Sequence, residues 1–350
     1  MSLTRRSRRE WRILILVNLY SAIPSAFFGF IATPVGARPI ISMLIGIVTS
    51  TMISTPIVLF EVKSRKLGAL RRLRQLPLAL YFAVKMLFYF TVIISGLVLV
   101  RLLFGSLLGR SFGFDALFEG SLAFAIAMSV FGTLAFEIGT LLGFGTLKNL
   151  LTGRYVQPRR ELKAFLLIDM KDSTGLAERL GSIRFHELLN MFFRDIADAA
   201  LECEAEIHKY VGDEAILTWP DDRALTDSQC LACPFIAREA IMVNRERYIR
   251  RFGVLPEFRA ALHRGEIVAG EIGDLRREIA YVGDTLNVAA RLLDAAKTLG
   301  RDILVSTDLL DRVSLPTGLR AEPLPMLAVR GRAAPLGIAA LSRELAATAD

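Results

Sequence analysis

The sequence predicts two unlike parts, an α-helical membrane domain of four spans followed by an α+β domain. Three observations carry that division. Over 350 residues the mean hydropathy is +0.44, too apolar for one ordinary soluble domain. The net charge of +8 is unevenly spread: residues 1–150 hold 16 Lys+Arg against 5 Asp+Glu (+11), which leaves 27 against 30 (−3) for the rest. From Ala164 onward, long apolar stretches give way to short strand-like runs alternating with helical ones. The basic excess therefore belongs to the apolar half, where it suits a lipid bilayer with anionic headgroups; no nucleic-acid partner is expected.

A spanning helix needs about 20 apolar residues, and four stretches qualify: about 13–33, 40–60, 78–100 and 121–146. Residues 1–150 are accordingly assigned to the membrane domain. Five arginines (Arg5, Arg6, Arg8, Arg9, Arg12) precede the first stretch. Lys63, Arg65, Lys66, Arg71, Arg72 and Arg74 lie between the second and third, and Lys148, Arg154, Arg159 and Arg160 follow the fourth. The other two loops hold Arg38, and Arg101 with Arg110 offset by Asp115 and Glu119. This alternation places both termini and the 61–77 loop in the cytoplasm, the topology of a multi-pass inner-membrane protein. The first stretch reads as a signal anchor, too long for the apolar core of a cleaved signal peptide. Lys85 and Glu137 fall inside predicted spans at similar depth, about 14 Å from the cytoplasmic end. A charge in hydrocarbon is costly, so they are expected to face the bundle interior and pair.

Residues 151–163 read as a linker, and the second domain covers 164–345. Ala164–Ile168 is a buried strand ending at Asp169; Leu176, Leu180, Phe185, Leu188, Leu189 and Phe192 then follow helical spacing. Glu206–Tyr210 and Ala215–Trp219 flank a hairpin turn at Val211–Glu214. A helix near 226–251, a hairpin across 256–272, a strand near 279–282, a helix near 285–299 and a strand at 302–306 complete helices over a mainly antiparallel sheet. The three cysteines, Cys203, Cys230 and Cys233, suit a reducing cytoplasm. Cys230 and Cys233 have metal-like spacing, but with no second ligand pair nearby no zinc site is expected.

Three segments carry chemistry. Phe165–Thr174 sets Asp169 at a strand end. Lys209–Glu214 sets Asp213 at a hairpin tip behind a lysine. Val282–Leu292 holds Asn287 and Arg291, i and i+4 on one helix face. Taken singly, a strand-end or turn aspartate is usually a cap and a helical arginine a solvated charge. Asp172, Asp284 and His263 read as a cap, a turn and a hairpin residue. No phosphate-cradling Gly-x-x-x-x-Gly-Lys occurs.

Together and in this order, with the His263–Gly273 stretch and Val329-Arg330-Gly331 near the end, these segments resemble the class III adenylate and guanylate cyclases over about residues 161–342. Four spans joined by a short junction to such a domain also look like bacterial members of that family. The resemblance implies a ferredoxin-like βαββαβ core and conversion of ATP to 3′,5′-cyclic AMP and pyrophosphate. It implies two Mg²⁺ (or Mn²⁺) per site, held by Asp169 and Asp213 as oxygen ligands. Asn287 would orient the ribose and Arg291 would stabilise the transition state, a task suited to a rigid guanidinium fork. Lys209 would donate to N1 of adenine, an acceptor where guanine carries a proton. The second base-reading position is Ala280, where adenylate cyclases usually carry Asp or Thr; alanine cannot accept from the adenine amino group. The resemblance also implies a homodimer in which each site draws its metal aspartates from one chain and its Lys/Asn/Arg set from the other.

Three other readings stay open on the sequence. Ala280 leaves room for guanylate cyclase or relaxed activity. Val211–Ala215 superficially resembles the Gly-Gly-Asp-Glu-Phe hairpin of the diguanylate cyclases, against which Lys209, Asn287 and Arg291 argue. A catalytically silent receptor or scaffold is opposed by the intact set of polar residues.

Overall fold

The computed structural model of the chain describes residues 5–31, 33, 38–63, 76–105, 116–225, 228–275, 277–328 and 334–344. The basic residues 65–74, Arg110, Asp115 and the Val329-Arg330-Gly331 stretch lie outside them. The chain divides into two compact units, Met1–Gly143 and Phe144–Asp350.

The first unit comprises α1 (Arg5–Ile31), α2 (Pro39–Lys63), α3 (Leu78–Gly105) and α4 (Ala116–Leu142). Four segments within them, Leu14–Ile31, Pro39–Glu61, Leu80–Phe104 and Phe118–Gly139, are long and apolar enough to cross a membrane. The fourth helix stops short of the expected 146 because Gly143 adopts a left-handed φ of 84°, which ends the helical run. Glycine lets α1 and α2 pack backbone to backbone: a Cβ at Gly46 would press on the Ser25 carbonyl, and one at Gly29 on that of Ser42. Across the same contact Asn18 Oδ1 accepts hydrogen bonds from Ser54 (2.6 Å) and Thr55 (3.1 Å).

Lys85 is buried and its ammonium meets Glu137 at 2.8 Å, the pairing that its depth predicts. It also meets Glu61 at 2.5 Å. Read as a flank of the second span, Glu61 is in fact buried near the end of α2, where it also accepts a hydrogen bond from the Tyr89 hydroxyl. One ammonium thus ties α2, α3 and α4 together through two carboxylates.

The second unit begins with α5 (Phe144–Leu151). Then follow β1 (Arg159–Met170), α6 (Ser173–Leu180), α7 (Ser182–Glu202), β2 (Glu206–Val211), β3 (Glu214–Pro220), α8 (Asp221–Leu225), α9 (Gln229–Val243) and α10 (Arg245–Phe252). The chain continues as β4 (Phe258–Ile272), β5 (Glu278–Val282), α11 (Asp284–Thr298), β6 (Ile303–Ser306), α12 (Thr307–Leu310), β7 (Leu319–Leu327) and β8 (Leu336–Arg343). One sheet runs β2-β3-β1-β4-β6-β8-β7, with β5 pairing β4 off that path. Its first four strands, with α7 and α9 as crossovers, form the ferredoxin-like βαββαβ core, and the pairings are antiparallel except β4 with β6.

Strand β1 lies at the centre and is apolar on both faces, as a strand covered on both sides must be. Ala164, Leu166, Ile168 and Met170 join one core with Leu188, Phe192 and Ile196 of α7. Phe165 and Leu167 join the other with Val288, Ala289, Leu292 and Ala296 of α11. All three cysteines are buried and free in the first core. Burial pushes the Cys230 thiol up to about 12, the property of an inert packing residue.

One expected element is different. Residues 258–272 form a single 15-residue strand, not a hairpin. Gly265 does not turn the chain there. It lets α11 approach, since a Cβ would come within 2.5 Å of Thr285 Oγ1. The reversal comes later, at Gly273 with φ 93°. His263 is accordingly a buried mid-strand residue, its Nδ1 2.8 Å from Ser306 Oγ, and not part of a hairpin.

Candidate active site

Asp169 sits near the end of β1, opposite Glu214 of β3 on one side and Arg259 of β4 on the other. Asp213 stands in the two-residue turn joining β2 to β3, where Gly212 takes a left-handed φ of 61°. The short turn brings the Asp213 carboxyl within hydrogen-bonding reach of Asp169. Burial first, and the neighbouring Asp213 second, push Asp169 up to about 6; Arg259 and Lys297 act in the opposite direction. Glu214 rises to about 7, again by burial first and then by the field of Asp169, Asp213 and Asp294. Sequence reasoning missed Glu214 as a member of this cluster; its one signal was adjacency to Asp213.

Carboxylates held this close penalise one another's ionisation, and a divalent cation relieves that repulsion. Paired carboxylate oxygens of this kind are the donors that hard divalent cations take. The remaining expected residues lie elsewhere. Asn287 and Arg291 project from the outward side of α11, whose other side is buried in the second core.

How far apart the two sets stand follows from the register. Thr285 Oγ1 donates to the Glu266 carbonyl at 2.5 Å, so the first turn of α11 is level with Gly265 and Glu266 of β4. Gly265 pairs with Lys163 of β1. From Lys163 to Asp169 is six strand residues, about 20 Å. From Thr285 to Asn287 is two helical residues, about 3 Å, and to Arg291 six, about 9 Å. Along the strand, Asn287 therefore stops about 17 Å short of Asp169 and Arg291 about 11 Å short. Within one chain the structure does not bring these residues together.

It does bring β5 against β2. Tyr281 stacks on His208, ring centroids 4.1 Å apart and planes within 13°, and lies 6.0 Å from Phe165. That contact folds β5 over β1 and β2. Burial, then the charges of Lys209 and Lys163, hold His208 down to about 4, so the stacked imidazole is neutral. The register of β2 shifts between Ile207 and Lys209, so His208 stands at an irregularity of the strand, and Lys209 pairs with Ile216 of β3. Glu278, two residues before Ala280 and on its face, meets the Lys209 ammonium at 3.5 Å.

Asp172 occupies the position before α6 in a left-handed conformation, φ 54°, and Asp284 is the first residue of α11. Among the described residues no group of three or more His, Cys, Asp or Glu is placed so that all could hold one metal ion, so Glu214 joins Asp169 and Asp213 by its field alone.

The second unit thus combines a βαββαβ core with clustered carboxylates at the end of its first strand. In sequence the chain is similar to bacterial adenylate cyclases. It is 41% identical over 230 residues to adenylate cyclase 2 of Rhizobium meliloti, a match covering 65% of this chain and 63% of that protein. It is 27% identical over 155 residues to an adenylate cyclase of Anabaena cylindrica, covering 43% and 30% respectively. The chain thus spans less than two thirds of the length of these curated relatives. Its fold is similar to that of a bacterial light-regulated adenylyl cyclase, with a TM-score of 0.53 at 16% identity, covering 62% of this chain and 65% of the other. No protein-family model matches the chain.

Proposed function

We propose that this protein is a membrane-anchored adenylate cyclase that converts ATP to 3′,5′-cyclic AMP and pyrophosphate in a homodimer with shared sites. One observation carries the reading. The unit holds two partial constellations, Asp169 with Asp213 and Asn287 with Arg291, that the fold keeps about 11–17 Å apart along the strand within one chain. Each is chemically incomplete alone, and a two-fold axis would make both complete twice.

In the reaction the ribose 3′-oxygen attacks the α-phosphorus, its proton passes to solvent, and the bond to the bridging oxygen breaks with its electron pair leaving on pyrophosphate. Two divalent cations held by Asp169 and Asp213 would supply acidity for the 3′-hydroxyl and neutralise the triphosphate. From the second chain, Asn287 would hold the ribose so that the 3′-oxygen lies in line with the leaving group. Arg291 would stabilise the charge that grows on the phosphoryl oxygens through its rigid fork of donors. Lys209 would donate to adenine N1.

The four apolar helices suit a multi-pass protein of the inner membrane. The basic flanks favour cytoplasmic termini, which would give the catalytic unit access to ATP. In this reading the membrane unit also confines the chains and raises the effective concentration of one catalytic unit for its partner.

The test is turnover of the full chain in lipid nanodiscs with Mg²⁺ or Mn²⁺ and either ATP or GTP, the products resolved by chromatography. Cyclic AMP from ATP, at a higher kcat/KM than cyclic GMP from GTP, is the expected result. Absence of any cyclic nucleotide would refute the reading.

A further inference from the structure

We propose that Glu278 is a specificity-determining residue that reads the adenine amino group in place of Ala280. The proposal rests on the reading that the chain cyclises ATP, and deepens it at the base. Adenine offers two adjacent atoms on its reading edge, the N1 acceptor and the exocyclic amino donor. A site selective for it therefore needs a donor and an acceptor side by side. Lys209 supplies the donor. The methyl group of Ala280 supplies nothing.

The geometry places the missing acceptor one alternate position away. Strand β5 is pinned by Tyr281, stacked on His208 and edge-on to Phe165. Its Ile279 and Tyr281 pack with the second core, so Glu278, Ala280 and Val282 occupy the other face of the strand. Two strand residues separate Glu278 from Ala280 by about 7 Å. A glutamate is long enough to cover that interval, and its carboxylate already meets the Lys209 ammonium at 3.5 Å. Both groups are about half exposed, at 52% for Lys209 and 43% for Glu278, so the pair is presented to an incoming base.

Guanine reverses the polarity of the same two atoms, with a carbonyl oxygen where adenine has its amino group and an N–H at N1. With the ammonium directed at N1 and the carboxylate at the neighbouring exocyclic position, GTP would set donor against donor and acceptor against acceptor. Glu278 thereby restores the discrimination that alanine at 280 lacks.

The experiment compares wild type, Glu278→Ala, Glu278→Gln and the double variant Glu278→Ala/Ala280→Asp as full chains in nanodiscs, each with ATP and with GTP. Glu278→Ala is expected to lower the ATP/GTP ratio of kcat/KM about tenfold, chiefly through the KM for ATP. Glu278→Gln, which keeps an acceptor oxygen but can present a donor instead, is expected to fall between. The double variant, with an acceptor restored at 280, is expected to regain most of the lost ratio. A residue that only braced β2 against β5 would depress both nucleotides in parallel; that result, or a ratio unchanged in Glu278→Ala, overturns the proposal. Should Glu278→Ala fail to fold by thermal melting, an unchanged ratio in Glu278→Gln overturns it equally. Wild type inactive on both nucleotides would instead refute the cyclase activity itself, a result distinct from loss of base selectivity.

Discussion

The shared site makes a quantitative prediction about mixed dimers. Under the proposed mechanism, Asp169→Ala would remove one carboxylate of the metal-holding pair, and Arg291→Ala the transition-state cation. Each variant alone is expected to be inactive. Along the strand these residues stand about 11 Å apart within a chain, and Asn287 about 17 Å from Asp169, well beyond the reach of an asparagine side chain. If each site takes its carboxylates from one chain and its Asn and Arg from the other, a dimer of the two variants carries both lesions in one site and neither in the second. Random pairing makes about half the dimers mixed, and each has one intact site of two, so activity near a quarter of wild type is expected. The assay co-expresses the two variants with different affinity tags, purifies through both tags and measures cyclic AMP. Purification through both tags isolates the mixed species, for which about half of wild-type activity is expected. Asp169→Ala with Asp213→Ala is the control: both lesions fall in the same constellation, so every site stays broken. No recovery in co-purified Asp169→Ala/Arg291→Ala dimers, or recovery in the control, would refute the shared site.

Three further outcomes follow from contacts elsewhere. Gly265→Ala would drive a methyl to within 2.5 Å of Thr285 Oγ1, displacing the first turn of α11 that carries Asn287; a loss of about 1–3 kcal/mol in stability, read by thermal melting, and a larger loss of turnover are expected. Lys85→Met strips a shared ammonium from Glu61 and Glu137, at a cost of about 3–5 kcal/mol to the membrane unit in detergent melts, and adding Glu61→Gln and Glu137→Gln should recover much of it. Burial pushes Asp195 up to about 6 although Tyr248 donates to it at 2.6 Å. A carboxyl raised on folding contributes stability below its unfolded value near 4, and that contribution is lost as pH rises through 6. Asp195→Asn should therefore melt higher than wild type above pH 6, by the order of 1 kcal/mol, and the gain should vanish below pH 4.

How much of this was legible in the sequence depended on whether a residue's role is local. The four apolar stretches, the buried run of β1 and the turn at Gly212-Asp213 are local properties of composition and period, and they fold as read. So does the i, i+4 face of Asn287 and Arg291. The hairpin expected across 256–272 was misread because a glycine such as Gly265 signals a turn as readily as a close approach; only Thr285, twenty residues on, decides which. Glu61 was misread for a similar reason. It lies one residue past an uncharged stretch, and only the helix that continues to Lys63 and the lysine on another helix turn it inward.

Glu278 and Glu214 bear hardest on the chemistry, and neither announces itself. A motif names positions at fixed offsets along the chain, here seven residues before Asn287, and at that offset this chain has alanine. Read by offset alone, base selectivity is weakened. Read by surface, the alternation of β5 and the stack of Tyr281 on His208 bring a carboxylate 69 positions away in sequence to the lysine that needs a partner. The acceptor has not been lost from the site but supplied from the next outward position of the same strand. Selectivity in such a site is a property of the face that β2 and β5 form together, and no single offset along the chain defines it.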